Sequence, residues 1–198
     1  MTGGLGGLGY IVSEYLTQQY NATVIVTGRS SLQGDLQHRF DALNTINGDL
    51  HYRQVDVTSA SAVEQLIKSI NNQGKPLNGI IHSAGINRDA FILNKTVQDL
   101  REVLAAKVHG AINLDEATKE LDLDLFVLFS SVAGIAGNIG QCDYAYANNY
   151  LDCFAEARNI QVTHDKRFGQ TLSINWPFWE DGGMSLSEDE LTETERRS

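Results

Sequence analysis

Apolar positions along the chain alternate between short runs and longer stretches with helical spacing. The short runs predict β-strands at residues 23–27, 51–55, 79–82, 125–130 and 171–175. The longer stretches predict helices at residues 10–20, 59–71, 97–120 and 144–159. Several strand candidates are almost continuously apolar, which is typical of strands buried on both faces of a parallel sheet. The pattern therefore predicts an α/β fold, a Rossmann-like doubly wound parallel sheet with helices on both faces.

A glycine-rich stretch opens the chain. Residues 2–9, TGGLGGLG, satisfy both the GxGxxG and the TGxxxGxG patterns of dinucleotide-binding loops, and a predicted helix follows them. Glycine is needed where a turn is tight and where backbone amides approach a pyrophosphate at the start of a helix. We therefore expect Gly3, Leu5, Gly6 and Leu8 to contact a nucleotide cofactor. The alternative is a flexible glycine linker.

The buried strand that normally precedes such a loop is replaced here by Met1 alone. We therefore expect a Rossmann-like domain whose first strand is truncated, and a chain that is a fragment of a longer polypeptide. Loss of a central strand would leave its two neighbours unpaired and part of the core exposed. A truncated product that never folds is thus one alternative.

Arg29 and Ser30 follow the first predicted strand, about twenty residues after the glycine loop. An NAD-binding protein would place an acidic residue there, for the ribose 2′-hydroxyl. A guanidinium and a hydroxyl suit a 2′-phosphate instead, which favours NADPH over NADH. The alternative is that Arg29 is an ordinary surface arginine.

Two further strand ends carry small or polar residues that suit a bound nucleotide. Asp56 and Val57 follow the second predicted strand, and Ala84 and Gly85 follow the third. Doubly wound sheets bind ligands at the carboxyl ends of their strands, so we expect these residues to contact the cofactor. His82, which ends the third strand, is interpreted as a packed residue in preference to a catalytic one.

Composition excludes several classes of function. A formal net charge of −10 opposes binding to nucleic acid, because phosphate backbones repel an acidic protein. No apolar run is long enough to cross a membrane, and nothing resembles a signal peptide. Cys142 and Cys153 lack the spacing of a metal site, so we expect no metal, two structural thiols and a cytoplasmic setting.

Four polar residues stand at spacings that suit reduction of a carbonyl group. Tyr144 comes thirteen residues after Ser131, which ends a buried strand, as in short-chain dehydrogenases. Those enzymes place a lysine four residues after the tyrosine, but Asn148 occupies that position here. A lysine, Lys107, lies instead on the preceding predicted helix.

This exchange of lysine and asparagine resembles the ketoreductase domains of modular polyketide synthases, within the short-chain dehydrogenase superfamily, and the related animal fatty acid synthase. The resemblance covers nearly all of residues 1–183. Its motifs occur in family order as TGGLGGLG, TGRS, VDVT, IHSAG, AAKVHGAINLDEAT, LFSSVAG, GQCDYAYAN and INWPFW. Ser130 and Tyr146 are rival candidates at two positions, but the family spacing selects Ser131 and Tyr144.

The resemblance implies reduction of a β-ketoacyl thioester with NADPH. Tyr144 would donate the proton, Lys107 would lower the phenol pKa from its usual value of about 10, and Ser131 would orient the carbonyl oxygen. Asn148 would position Lys107 and a relay water. Pro177 would lie near the nicotinamide. The implied partners are an acyl carrier protein, with the substrate on its phosphopantetheine arm, and other polyketide synthase domains.

The resemblance also bears on stereochemistry. Asp89 is the one residue kept from the LDD motif of domains that form the D-configured alcohol, called B-type. The tryptophan of the opposite class is replaced by Ala136. We therefore expect a B-type domain with Asp89 and Trp179 near the substrate. The departure from the LDD motif at Asn87 and Arg88 resembles domains of bacterial trans-acyltransferase assembly lines.

We expect residues 1–184 to form the catalytic domain, in which residues 182–184 open a substrate lid, and residues 185–198 to form a flexible acidic tail. Two other functions stay open. A freestanding dehydrogenase could act on a small ketone, although the exchange of lysine and asparagine opposes it. A non-catalytic scaffold domain is the other possibility.

Overall fold

The computed structural model describes residues 1–20, 22–45 and 49–179. The predicted lid residues 182–184 and the acidic tail 185–198 lie outside the described residues. The strands are β1 (Thr23–Gly28), β2 (Asp49–Gln54), β3 (Gly79–His82), β4 (Leu125–Ser131) and β5 (Gln170–Trp176). The helices are α1 (Gly7–Tyr20), α2 (Asp35–Asn44), α3 (Ala60–Asn71), α4 (Val97–Leu104), a π-helical turn (Ala105–His109), α5 (Gly110–Ala117), α6 (Ala133–Ala136) and α7 (Cys142–Thr163).

The five strands are parallel and form two sheets joined through one residue. β1 pairs with β2, and β4 pairs with both β3 and β5. Thr2 forms bridges to Thr27 of β1 and to His82 of β3, at the place of the truncated strand expected before the glycine loop. The structure thus describes a single bridging residue, rather than a strand, between the two sheets.

Helices cover both faces, as predicted, because alternate side chains of a strand point to opposite faces. Val24 and Val26 of β1 pack in a cluster with residues of α1 and α2. Ile25 packs against the larger cluster, which contains residues of α3, α5 and α7. The α/β fold with a Rossmann-like parallel sheet is therefore confirmed.

Two helical regions differ from the sequence prediction. Helix α2 was not predicted, although Leu36, Phe40 and Leu43 have helical spacing and pack in the first cluster. The helix predicted at residues 97–120 contains a π-helical turn and ends at Ala117. The Thr118 hydroxyl donates to the Leu114 carbonyl there, so a side chain satisfies a carbonyl at the helix end.

A buried arginine joins α7 to the start of β5. The Arg158 guanidinium donates to the Asp115 carboxylate over 2.8 Å and lies 4.6 Å from the centre of the Phe126 ring. It also donates to the carbonyls of Phe168 and Gly169 and to the Thr171 hydroxyl. A fully buried guanidinium is stable only when its donors are satisfied in this way.

Replacing Arg158 with methionine should lower the free energy of unfolding by about 3 to 5 kcal/mol, because it breaks a buried, paired charge and orphans several acceptors. Urea denaturation at neutral pH measures this change. Arg53→Met is the control, since Arg53 is exposed, and it should change the value by no more than about 0.5 kcal/mol. Equal values for the two variants would show that the buried cluster is not a stabilising contact.

Candidate active site

A cavity of about 740 Å³ opens at the carboxyl ends of the strands. The glycine loop forms one wall, and the π-helical turn and the start of α7 form the other. Most of the predicted site residues line it: Gly3, Gly6, Leu8, Arg29, Asp56, Val57, Ala84, Gly85, Asp89, Lys107, Ser131 and Tyr144. Residues predicted from the strand ends and the distant Lys107 thus line the same cavity.

The other predicted residues lie beside or beneath the cavity. Leu5 is buried in the cluster under α1 and α2, and the Ser30 carbonyl accepts a hydrogen bond from the Tyr52 hydroxyl. Trp179 packs edge to face on Trp176, and Pro177 lies between them in the chain. Asn148 is fully buried behind Tyr144. Their contacts to cofactor or substrate remain predictions.

The glycine loop packs so closely that side chains would not fit. Gly3 has a φ of +65°, and a Cβ there would lie 3.0 Å from the backbone of Ala84. A Cβ on Gly9 would lie 2.3 Å from the Gly3 carbonyl oxygen. The loop leads directly into α1, so the first N–H groups of that helix, which have no intrahelical acceptor, lie at the cavity wall. This is the arrangement that binds a diphosphate.

Arg29 lies at the outer end of this wall, directly after β1. Its backbone carbonyl accepts a hydrogen bond from the Gln54 side chain, while its side chain is exposed. Among the described residues no carboxylate forms an ion pair with the guanidinium. The Arg29 guanidinium therefore has hydrogen-bond donors available for an anion at the rim of the cavity.

Lys107 is a buried cation at the centre of the site. The side chain is 4% exposed, and its ammonium donates to the Phe129 carbonyl over 2.7 Å. Burial lowers the pKa of Lys107 from 10.5 to about 8, and the nearby Asp152 carboxylate opposes part of that change. The ammonium lies 5.4 Å from the centre of the Tyr144 ring. A positive charge is thus held beside the phenol.

His82 supports the backbone that carries Lys107. The His82 Nε2 lies 3.1 Å from the Lys107 carbonyl oxygen, which can only accept, so Nε2 carries the proton. Nδ1 then accepts from the Thr2 hydroxyl over 2.7 Å. Burial lowers the pKa of His82 to about 4, so the ring is neutral near pH 7. This agrees with its interpretation as a packed residue.

Tyr144 is the buried phenol of the site, 7% exposed, whereas Tyr146 is 62% exposed. Burial raises the pKa of Tyr144, while hydrogen bonds with the Asn148 and Ser131 side chains lower it in part. The net direction is upward, so Tyr144 is protonated near neutral pH and able to donate a proton.

The two adjacent serines have different partners. The Ser130 hydroxyl donates to the Asn148 carbonyl. When the Asn175 amide is oriented with its nitrogen facing Asp152, that nitrogen also donates to the Ser130 hydroxyl over 2.8 Å. The Ser131 hydroxyl accepts from the Ala133 N–H over 3.2 Å, lies at the cavity wall and interacts with Tyr144. These contacts favour Ser131 over Ser130 as the residue that acts on substrate.

Asn148 forms no direct hydrogen bond with Lys107, so its role in positioning that lysine and a relay water stays a prediction. Its amide nitrogen donates to the Tyr144 carbonyl over 2.8 Å, and the Phe129 carbonyl holds the lysine instead. The Asn148 Oδ1 atom is buried and has no hydrogen-bond partner among the described residues. A buried acceptor of this kind fits a donor such as water.

Glu102, Phe129 and Trp176 are among the lining residues that the sequence analysis did not predict. The Trp176 ring lies 5.3 Å from that of Phe129 and forms the floor beside Ser131. Trp176 is part of the INWPFW motif, which gave a signal for it. No motif or spacing in the sequence marks Glu102.

Comparison with known proteins decides the family. The model of the KR domain family matches residues 1–181. The chain belongs to the KR domain family, the ketoreductases of polyketide synthases. It is 47% identical over 190 residues to polyketide synthase PksN of Bacillus subtilis (strain 168), which covers 96% of this chain and 4% of PksN.

Solved ketoreductase domains have the same fold. A ketoreductase domain from the bacillaene assembly line superposes with a TM-score of 0.93 at 43% identity, over 98% of this chain and 47% of that one. An N-terminal ketoreductase from the macrolactin assembly line gives 0.83 at 44% identity, over 90% and 36%. The chain thus spans less than half of either solved domain. Ketoreductases are oxidoreductases that convert ketones to alcohols.

Lys107→Met tests whether burial of the lysine lowers the free energy of unfolding of the native protein. The lowered pKa corresponds to about 3 kcal/mol of destabilisation near pH 7, so the variant should unfold no more easily than the native protein. Between pH 8 and pH 10 the unfolded state binds more protons at this lysine than the folded state, so native stability should rise with pH.

Urea denaturation of both proteins at pH 8 and pH 10 isolates this effect, because other titrations cancel in the difference. The native protein should gain about 2 kcal/mol relative to Lys107→Met. A difference that does not change with pH would mean that the pKa of Lys107 is not lowered.

Proposed function

We propose that the chain reduces the β-keto group of an acyl thioester, carried on an acyl carrier protein, to a β-hydroxy group with NADPH as reductant. The observation that carries the proposal is that Lys107, Ser131 and Tyr144 line the same cavity as the glycine loop. A nucleotide site and a proton donor are therefore adjacent, as a carbonyl reduction requires.

The residues of the first wall fit NADPH. The loop at Gly3 and Gly9 packs too closely for side chains and lines the cavity, so its backbone could contact a diphosphate there. Arg29, which forms no ion pair with any described residue, provides a guanidinium near the end of β1, where the ribose 2′-phosphate of NADPH would bind and where NADH has only a hydroxyl. NADPH bound there would supply the hydride for the reaction.

The residues of the second wall deal with the charge that develops on the carbonyl oxygen. The Ser131 hydroxyl would donate a hydrogen bond to that oxygen and orient it. Tyr144, whose pKa is raised by burial, would donate its proton as negative charge grows. The adjacent Lys107 ammonium would stabilise the phenolate left behind. Asn148 would hold a donor at its buried Oδ1, from which the phenolate is reprotonated.

The family context favours a carrier-bound substrate over a small free ketone. The similar proteins are polyketide synthases, in which this chain would be one of several domains beside an acyl carrier protein. The position of Lys107 on the π-helical turn, with Asn148 on α7, is also the arrangement that separates these domains from freestanding dehydrogenases.

We further propose a D-configured, B-type product. Asp89 lies at the cavity wall, and its carboxylate accepts from the Gln141 side chain over 2.8 Å. Gln141 is three residues before Tyr144, so Asp89 is fixed next to the proton donor. The position of Asp89 near Tyr144 supports a role for this segment in the configuration of the product.

Tyr144→Phe should reduce the turnover of a β-ketoacyl N-acetylcysteamine thioester at least about a hundredfold, because the proton donor is removed. The decrease of NADPH absorbance measures the rate. Tyr146→Phe is the matched control and should keep the native rate, since Tyr146 is exposed on the other side of α7. Native turnover by Tyr144→Phe would rule out its role.

Arg29→Ala should weaken NADPH binding about tenfold to a hundredfold and leave NADH binding unchanged, because it removes hydrogen bonds to a phosphate. Fluorescence titration with each nucleotide measures both constants. The exposed Arg53→Ala serves as the control for loss of one positive charge. Equal weakening for the two nucleotides would show that Arg29 does not contact the 2′-phosphate.

A further inference from the structure

A buried ion pair lies outside the residues used so far. The Lys95 ammonium is 2.8 Å from the Asp143 carboxylate, and the two side chains are 5% and 0% exposed. Lys95 follows the segment that contains Asp89, whereas Asp143 is in the first turn of α7, next to Tyr144. The pair therefore joins the substrate side of the cavity to the helix that carries the proton donor.

Each partner makes a second contact that fixes a backbone. Asp143 Oδ1 accepts from the Tyr144 N–H over 2.9 Å, which satisfies one of the donors at the start of α7. The Lys95 ammonium donates to the Arg88 carbonyl over 2.5 Å, so its side chain closes the loop formed by residues 88–95. The same ion pair thus holds the backbone at Tyr144 and at the base of this loop.

Further contacts hold the loop against α7. The Ala90 N–H donates to the Gly140 carbonyl over 3.0 Å, and Gln141 donates to Asp89. Arg88 forms an ion pair with Glu102 of α4, which also lines the cavity. Beyond these contacts the loop presents Phe91, Ile92 and Leu93, which are 66% to 94% exposed. Its rigidity therefore depends on its base, where Lys95 lies.

We propose that Lys95 and Asp143 form a positioning pair that fixes loop 88–95 relative to Tyr144 and so sets how the acyl thioester is presented for reduction. The inference rests on the proposed function. The pair acts through the loop and through the Tyr144 backbone, and neither side chain lines the cavity. Its loss should change substrate affinity and product configuration rather than nucleotide binding.

The choice of variant follows from the burial of the pair. Removing Lys95 alone leaves an unpaired buried carboxylate, which is strongly destabilising. The double variant Lys95→Met/Asp143→Asn removes both charges, and the asparagine oxygen can still accept from the Tyr144 N–H. Lys95→Arg keeps the ion pair with a larger head group, which cannot occupy the position between Asp143 and the Arg88 carbonyl unchanged.

The exposed pair Lys119 and Glu116 offers a matched control, Lys119→Met/Glu116→Gln. All variants are made in the full natural polypeptide. For each one, the melting temperature, the dissociation constant for NADPH, kcat and KM for a β-keto thioester, and the ratio of D- to L-configured product are measured.

The double variant at Lys95 and Asp143 should keep its NADPH dissociation constant within about twofold. It should lose about tenfold to a hundredfold in kcat/KM, mainly through KM, and form more of the minor alcohol, because the loop is no longer fixed. Lys95→Arg should change KM and product ratio in the same direction by a smaller factor. The control should match the native protein throughout.

A lower melting temperature with native KM and native product ratio, in the double variant or in Lys95→Arg, would overturn the inference, because the pair would then only stabilise the fold. A native protein that binds NADPH but reduces no β-keto thioester would instead contradict the proposed function and the inference with it. The activity of the native protein therefore distinguishes a failure of the proposed function from a failure of this inference alone.

Discussion

The structure of the site depends on keeping one ammonium group out of water. Lys107 lies at the cavity wall, where burial favours its neutral form, and the Phe129 carbonyl accepts its hydrogen bond. Lys107 is part of the π-helical turn, and its ammonium lies near the Tyr144 ring. π-Helical turns occur often at functional sites. His82 holds the turn through the Lys107 carbonyl, and Gly85 leaves room, since a Cβ there would come 3.0 Å from the lysine Cε.

The parallel sheet brings the two halves of the site together. Thr2 bridges β1 and β3, and its hydroxyl is the hydrogen-bond partner of His82, so the residue that leads into the glycine loop also supports the turn with Lys107. The nucleotide wall and the proton-donor wall therefore share one structural connection. On the far side, the Lys95 and Asp143 pair links the Tyr144 backbone to the loop that carries Asp89.

Much of this could be predicted from local pattern. Strands such as β4 are short and continuously apolar, and the motifs at Gly3, Arg29 and Tyr144 each stand at a strand or helix end. Features that depend on tertiary contacts could not be predicted. The Phe129 carbonyl, which accepts the hydrogen bond of the Lys107 ammonium, has no sequence signal. The same holds for the pair of Lys95 and Asp143, which are 48 residues apart.

The most direct test of the account follows a label from cofactor to product. NADPH carrying deuterium at the transferable C4 position is incubated with the full natural polypeptide and a β-ketoacyl thioester, and the product is analysed by mass spectrometry and NMR. The account predicts a β-hydroxy thioester with deuterium on the β-carbon. Folded protein that binds NADPH yet gives unlabelled product, or no alcohol at all, would contradict it.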